Sequence, residues 1–192
     1  VDKVEEAYFV IWTTTPWTIP SNVAVCIHEE IEYIFVRGDN DHFIIAKDLL
    51  DECSDRWGIE LEILGSVLGK EINEITMAHP LYKRESKLLH GDHVTTESGT
   101  GCVHTAPAHG LDDYFICIKN GLESVKALDN RGIFKEEFGP LSGLSTKKGD
   151  PIVIELLQEN NALLAHQQYD HSYPHCWRHK SPVIFMSTPQ WF

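Results

Sequence analysis

The chain has 192 residues, 42% of them hydrophobic, and a formal net charge of −13. That length and apolar content suit one substantial core, and no run of about 18 apolar residues predicts a membrane-spanning helix. The acidic balance opposes general nucleic-acid binding, which needs clustered Lys and Arg to displace counterions.

The small basic groups Lys83-Arg84, Lys147-Lys148 and Arg178-His179-Lys180 are more commonly solvated surface, so any polyanion contact is expected to be local. The acidic start, Val-Asp-Lys-Val-Glu-Glu, does not resemble a signal peptide, and a cytoplasmic location is expected. The five cysteines, Cys26, Cys53, Cys102, Cys117 and Cys176, are scattered without a Cys-x-x-Cys pair, which predicts free thiols packed as small hydrophobes.

In chain order, Ala7–Trp12 reads as a buried strand leading into Thr13-Thr14-Thr15-Pro16-Trp17-Thr18-Ile19-Pro20-Ser21-Asn22. Two prolines four residues apart forbid a regular helix or central strand, leaving a fixed loop crowded with hydroxyls and one amide. Val23–Ile27 is predicted as a second strand, and Ile31–Arg37 with Phe43–Ala46 as a hairpin turned by Gly38-Asp39-Asn40-Asp41. Lys47–Trp57 has helical apolar spacing, with Gly58 as its C′ residue. Ile59–Leu64 alternates, and the short segments through His90 suggest a barrel or sandwich.

The run Gly99–Tyr114 concentrates glycines, His104, His109 and the adjacent carboxylates Asp112 and Asp113. Glycine lets backbone approach a ligand closely. The two acids fall on the first turn of a helix predicted over Leu111–Asn120 and stopped by Gly121, where the helix dipole favours the charged carboxylate. Asp113 is therefore expected to be an anion suited to holding a cation. Asn130-Arg131-Gly132 and Phe138-Gly139-Pro140 mark an irregular excursion. Pro151–Asn160 is predicted as a second helix, with Asp150 as N-cap, followed by a strand over Ala162–Tyr169. Residues 1–192 are expected to form a single domain, with 1–6 and 170–192 as linker regions cut from something longer.

Three kinds of chemistry compete for these residues. Covalent catalysis has little support: there is no Gly-x-Ser-x-Gly elbow, and Cys102 beside His104 lacks a third orienting group. A metal site could draw on His166, His171, His175, Cys176 and His179, since Cys176-x-x-His179 has ligand spacing, but no second pair completes it. Solvated histidines, or half of a site whose partner pair is missing, are the commoner reading. The third possibility combines neutral donors and acceptors at Thr13–Asn22, approachable backbone and an imidazole at Gly99–His104, and an anion at Asp113. Together these suit a substrate carrying an ammonium next to an ester, attacked by water while hydrogen bonds stabilise the oxyanion. Caps and packing explain such threonines and acids singly; their combination favours a site.

The stretches Trp12–Asn22, Gly99-Thr100-Gly101-Cys102-Val103-His104-Thr105-Ala106-Pro107, Gly110–Tyr114 and Tyr173-Pro174-His175-Cys176-Trp177-Arg178 closely resemble the editing insertion (connective peptide 1) of class I isoleucyl-tRNA synthetases. Where valyl and leucyl relatives typically carry Thr-Thr-Arg-Pro-Glu-Thr, this chain has Thr-Thr-Thr-Pro-Trp-Thr at Thr13–Thr18. They also carry another residue type in place of His104. The resemblance implies a β-rich α+β fold, a β-barrel core with flanking helices, inserted in a larger synthetase.

It also implies hydrolysis of valine wrongly esterified to isoleucine tRNA. Isoleucine against valine is the established example of this need, since one methylene supports only about 150-fold discrimination and a second sieve must remove the smaller residue. On the resemblance, Asp113 would hold the α-ammonium and His104 would exclude isoleucine. Thr13, Thr14, Thr15 and Asn22 would position the ester, the adenosine end and the water. Trp12, Thr18, Gly99, Thr100, Gly101, Thr105, Ala106 and Asp112 would line the substrate. No cofactor or metal is implied in this domain. The partners would be the acceptor end of isoleucine tRNA and the remainder of the synthetase. Cys102 replaces a frequent alanine, and Cys176-x-x-His179 replaces the Cys-x-x-Cys of some relatives. The ATP-site motifs are absent, so this chain alone is not expected to aminoacylate.

Overall fold

The computed structural model describes residues 6–168 and 172–188. Within them the chain divides into two compact units. The first comprises the chain up to Thr13, Ala24–Ala78 and Glu85–Thr105, and the second comprises Thr14–Val23, His79–Arg84 and the chain from Ala106 onward.

Among the described residues the first unit holds the strands: β1 (Tyr8–Phe9), β2 (Ala24–Ile27), β3 (Glu32–Gly38), β4 (Asp41–Ala46), β5 (Glu62–Leu68), β6 (Thr76–Ala78), β7 (Glu85–His90) and β8 (Val103–Thr105). The predicted hairpin forms as β3–β4, with Gly38 paired to Asp41 across the two-residue loop Asp39-Asn40. Asp39 takes the positive φ of 50° that such a loop requires. The ladders make two four-stranded sheets, ordered β1-β4-β3-β5 and β6-β7-β2-β8. Among the described residues each sheet keeps two edges, so these ladders do not show a closed barrel.

One apolar core serves both sheets, joining Val25 and Ile27 to Tyr33, Ile34, Val36, Phe43 and Ile45. The helix α1 (Leu50–Trp57), entered through a 3-10 turn at Lys47–Leu49, adds Leu49 and Cys53 to that core. It stops where predicted, at Gly58 in the left-handed conformation, whose N–H caps Ser54 O at 2.9 Å.

The second unit is helical, with a 3-10 segment Pro16–Ser21, the helix α2 (Leu111–Lys119), a second 3-10 segment Glu136–Leu141, and the helix α3 (Thr146–Glu159). Its core gathers Trp17, Ile19, Phe134, Phe138, Leu141, Val153 and Leu157. The prolines at 16 and 20, which exclude a regular helix, are accommodated in the 3-10 turn, where Thr18 and Asn22 N–H bond to Thr15 and Ile19 carbonyls.

Three sequence expectations change. The first strand shrinks to Tyr8–Phe9, paired in parallel to Phe43–Ile44. The helix α3 begins at Thr146, not Pro151, and Asp150 lies inside it. A proline forfeits only one intrahelical bond, and Asp150 is drawn instead to the backbone N–H of Trp17, 2.9 Å away. Residues 162–168 carry no strand, because no partner ladder reaches them among the described residues. Tyr169, His171 and, of the predicted linkers, residues 1–5, 170 and 189–192 lie outside the described residues. No helix among the described residues is long and apolar enough to cross a membrane.

Candidate active site

The predicted site residues divide between the two units. In the first, Gly99 and Gly101 both adopt positive φ, 87° and 74°, a region that disfavours side chains. A Cβ on Gly101 would stand 2.3 Å from that of Ala46, and one on Gly99 would touch Trp12 at 3.5 Å. Backbone at Gly101 is therefore packed against Ala46 with no room for a side chain. Thr100 between them is buried and donates its hydroxyl to Val10 O at 2.6 Å. The Gly101 carbonyl is held from below by the fully buried Tyr33 hydroxyl at 2.7 Å. That hydroxyl also accepts the His28 N–H at 3.0 Å, and burial pushes its pKa up, so it stays a donor.

His104 sits on β8 opposite Val25 of β2 and is half-buried. Its neighbour Thr105 is fully buried, with its hydroxyl 3.1 Å from Cys26 Sγ. Trp12 is half-buried with the Arg56 guanidinium 5.9 Å over its ring, and Thr13 is half-buried. Cys102 is 3% exposed and burial pushes its thiol pKa up, which suits a packing role and not a nucleophile. All five cysteines are thiols outside any disulfide, four of them buried.

In the second unit the Thr14 and Thr15 hydroxyls lie 3.5 Å apart. Thr15 O receives both the N–H and the hydroxyl of Thr18, at 3.1 and 2.9 Å. Asn22 is buried at the end of the same turn. Asp112 and Asp113 occupy the first turn of α2, Asp112 exposed and Asp113 half-buried. Asp113 Oδ2 accepts the Ala106 N–H at 2.7 Å. This fold-back depends on Gly110, where a Cβ would stand 2.6 Å from the carboxylate.

No family model matches the sequence. The chain is 47% identical over 183 residues to an isoleucine--tRNA ligase of Legionella pneumophila (strain Paris), covering 95% of this chain and 20% of that protein. It is 48% identical over 184 residues to that of Pasteurella multocida, with the same coverage. The chain thus spans about a fifth of these relatives' length. In fold it resembles a crystal structure of GlLeuRS-CP1, with TM-score 0.68 at 17% identity, covering 85% of each chain. It also resembles the editing domain of a Plasmodium falciparum cytosolic leucyl-tRNA synthetase, with TM-score 0.65 at 13% identity, covering 80% of this chain and 77% of that one. Over 95% of its length the chain is thus similar to a segment of isoleucine--tRNA ligases, and it shares the fold of leucyl-tRNA synthetase editing domains.

Several groups that hold these residues in place carry no sequence signal for that role. Tyr33 and His28 act on Gly101 from far along the chain, Asp150 supports Trp17, and Ser21 contacts His109 Nε2 at 3.1 Å. The glycine pattern at 99, 101 and 110 was a signal; these long-range supports carry none locally. Of the alternative metal set, Cys176 Sγ and His179 Nδ1 lie 3.5 Å apart, while His175 Nδ1 donates to Tyr173 O at 2.8 Å. Among the described residues no three His, Cys, Asp or Glu side chains cluster as metal ligands.

Proposed function

We propose that this chain performs post-transfer editing, hydrolysing the ester of valine mischarged on isoleucine tRNA with water as the nucleophile. The observation that carries this reading is the coincidence of an editing-domain fold with 47–48% identity to isoleucine--tRNA ligases over almost the whole chain. Asp113, with its carboxylate steadied by the Ala106 N–H, holds the substrate α-ammonium. His104 walls the side-chain pocket against isoleucine. Thr13, Thr14, Thr15 and Asn22 position ester, adenosine and water. The buried Cys102 thiol favours direct attack by water over a covalent intermediate. The chain acts within a longer synthetase, whose other domains deliver the acceptor end.

Incubating the protein with valyl-tRNA for isoleucine is expected to release valine. Asp113→Ala should slow release by about 100-fold, the scale of losing a charge-assisted contact to the reacting group. His104→Ala should let isoleucyl-tRNA be cleaved, and unchanged discrimination would remove His104 from the sieve. A second reading is a non-catalytic acceptor-end binding module that works only when the rest of the synthetase positions the tRNA; the net charge of −13, which opposes independent tRNA binding, favours it, and no release from valyl-tRNA would select it. Loss of release on adding chelator would select a metal-dependent hydrolase instead.

A further inference from the structure

In the second unit, hydrogen bonds from two distant segments converge on a half-buried side chain that the family resemblance assigns no role, His109. Its Nδ1 lies 3.0 Å from the Phe185 carbonyl. A carbonyl only accepts, so Nδ1 carries the proton and Nε2 presents its lone pair. Ser21 Oγ stands 3.1 Å from that Nε2 and therefore donates to it, while accepting the Ala127 N–H at 3.3 Å. The Trp17 ring meets the imidazole edge-on at 4.7 Å. Ser187 N–H reaches Ala108 O at 2.8 Å, tying the same two segments once more.

A serine, an imidazole and an acceptor in line are also the parts of an activated nucleophile. Ser21 does not fit that role, because it is fully buried and its oxygen already receives the Ala127 N–H. The arrangement holds chain segments together. Its two ends matter: Ser21 closes the 3-10 segment Pro16–Ser21, which is flanked by Thr14, Thr15 and Asn22. His109 belongs to the turn in which His109 and Gly110 N–H both bond to Ala106 O, at 2.9 and 3.2 Å. Ala106 in turn gives its N–H to Asp113.

We propose that His109 is a positioning residue, holding through Ser21 the hydroxyl-rich loop in fixed register with the Ala106–Gly110 turn that sets the Asp113 carboxylate. This rests on the editing reading for the roles of those residues, while the positioning itself is measurable without tRNA. Small misplacements of aligned groups are costly in rate, so the effect belongs to the chemical step more than to binding.

The test uses the ¹⁵N-labelled protein. Imidazole nitrogen shifts should show His109 protonated at Nδ1 and bare at Nε2. In His109→Ala and in Ser21→Ala, the Ala106 and Trp17 amide resonances should move, and in His109→Gln, whose amide oxygen can accept from Ser21, they should return toward the native positions. In single-turnover cleavage of valyl-tRNA, His109→Ala should lower the rate constant about tenfold with half-saturation within about twofold, and His109→Gln should recover part of it. If His109→Ala fails to fold, Ser21→Ala decides by the same amide shifts. Unmoved amides in the alanine variants would overturn the proposal, as would a rate loss seen wholly in half-saturation. If the native protein cleaves nothing while the amides move as described, the positioning stands and the editing reading falls.

Discussion

His79 shows how one residue can make a support pH-sensitive. Its Nδ1 accepts the Leu81 and Tyr82 N–H groups at 3.0 and 3.2 Å, so Nε2 bears the proton and donates to Ile19 O at 3.0 Å. The Arg84 guanidinium sits 2.9 Å from the same Nε2 and also reaches Pro20 O. Burial, reinforced by the Arg84 charge, pushes the His79 pKa from 6.5 down to about 4. The unfolded chain takes up this proton near 6.5 and the folded one resists it until about 4. The stabilisation is therefore complete above 6.5 and is lost as pH falls between the two values, by up to about 3 kcal/mol. Urea unfolding followed across that window should show His79→Gln binding about one proton fewer on denaturation than the native protein; equal pH slopes would place the linkage elsewhere. His109, whose pKa burial also lowers, adds in the same direction and remains in the variant.

At the scale of elements, the loop that carries the threonines is held by partners far away in sequence. Asp150, inside α3, accepts the Trp17 N–H at 2.9 Å, which docks the Pro16–Ser21 segment against that helix. Burial raises the Asp150 pKa while the Trp17 bond opposes the rise. Asp150→Ala orphans a buried N–H and is expected to cost about 1–3 kcal/mol. Asp150→Asn keeps an acceptor and removes a partly buried charge, so its urea midpoint should stay near the native one at neutral pH. An Asn variant as unstable as the Ala variant would show that the charge is what Trp17 needs. From sequence, Asp150 before Pro151 reads as a helix start, since both residues favour one. The tertiary partner at Trp17 gives the carboxylate a different use, and the helix begins earlier.

For the whole molecule, the acidic balance predicts that the isolated protein meets only a few phosphates. On the proposed reading, binding to isoleucine tRNA, measured by fluorescence at several salt concentrations, should weaken with a log–log slope shallower than about −3, taking about 0.7 per phosphate for a single-stranded end. A steeper dependence would assign the basic groups around Lys83 and Arg178 to the contact.

Much of this protein is written in short-range patterns. Gly58 ends α1, the Asp39-Asn40 loop joins β3 to β4, and Gly110 before Asp112-Asp113 opens α2, because turn and cap preferences act within a few residues. The motifs Thr13–Asn22 and Gly99–Tyr114 also carry the family resemblance. What only the tertiary structure decided is the set of long-range partners: the parallel pairing of β2 with β7, the Tyr33 hydroxyl under Gly101, His79 beneath Ile19, and Ser21 against His109. Such contacts leave no period or spacing in the chain. They arise because a buried polar group must find a partner, and which partner is nearest is settled only when the cores have packed.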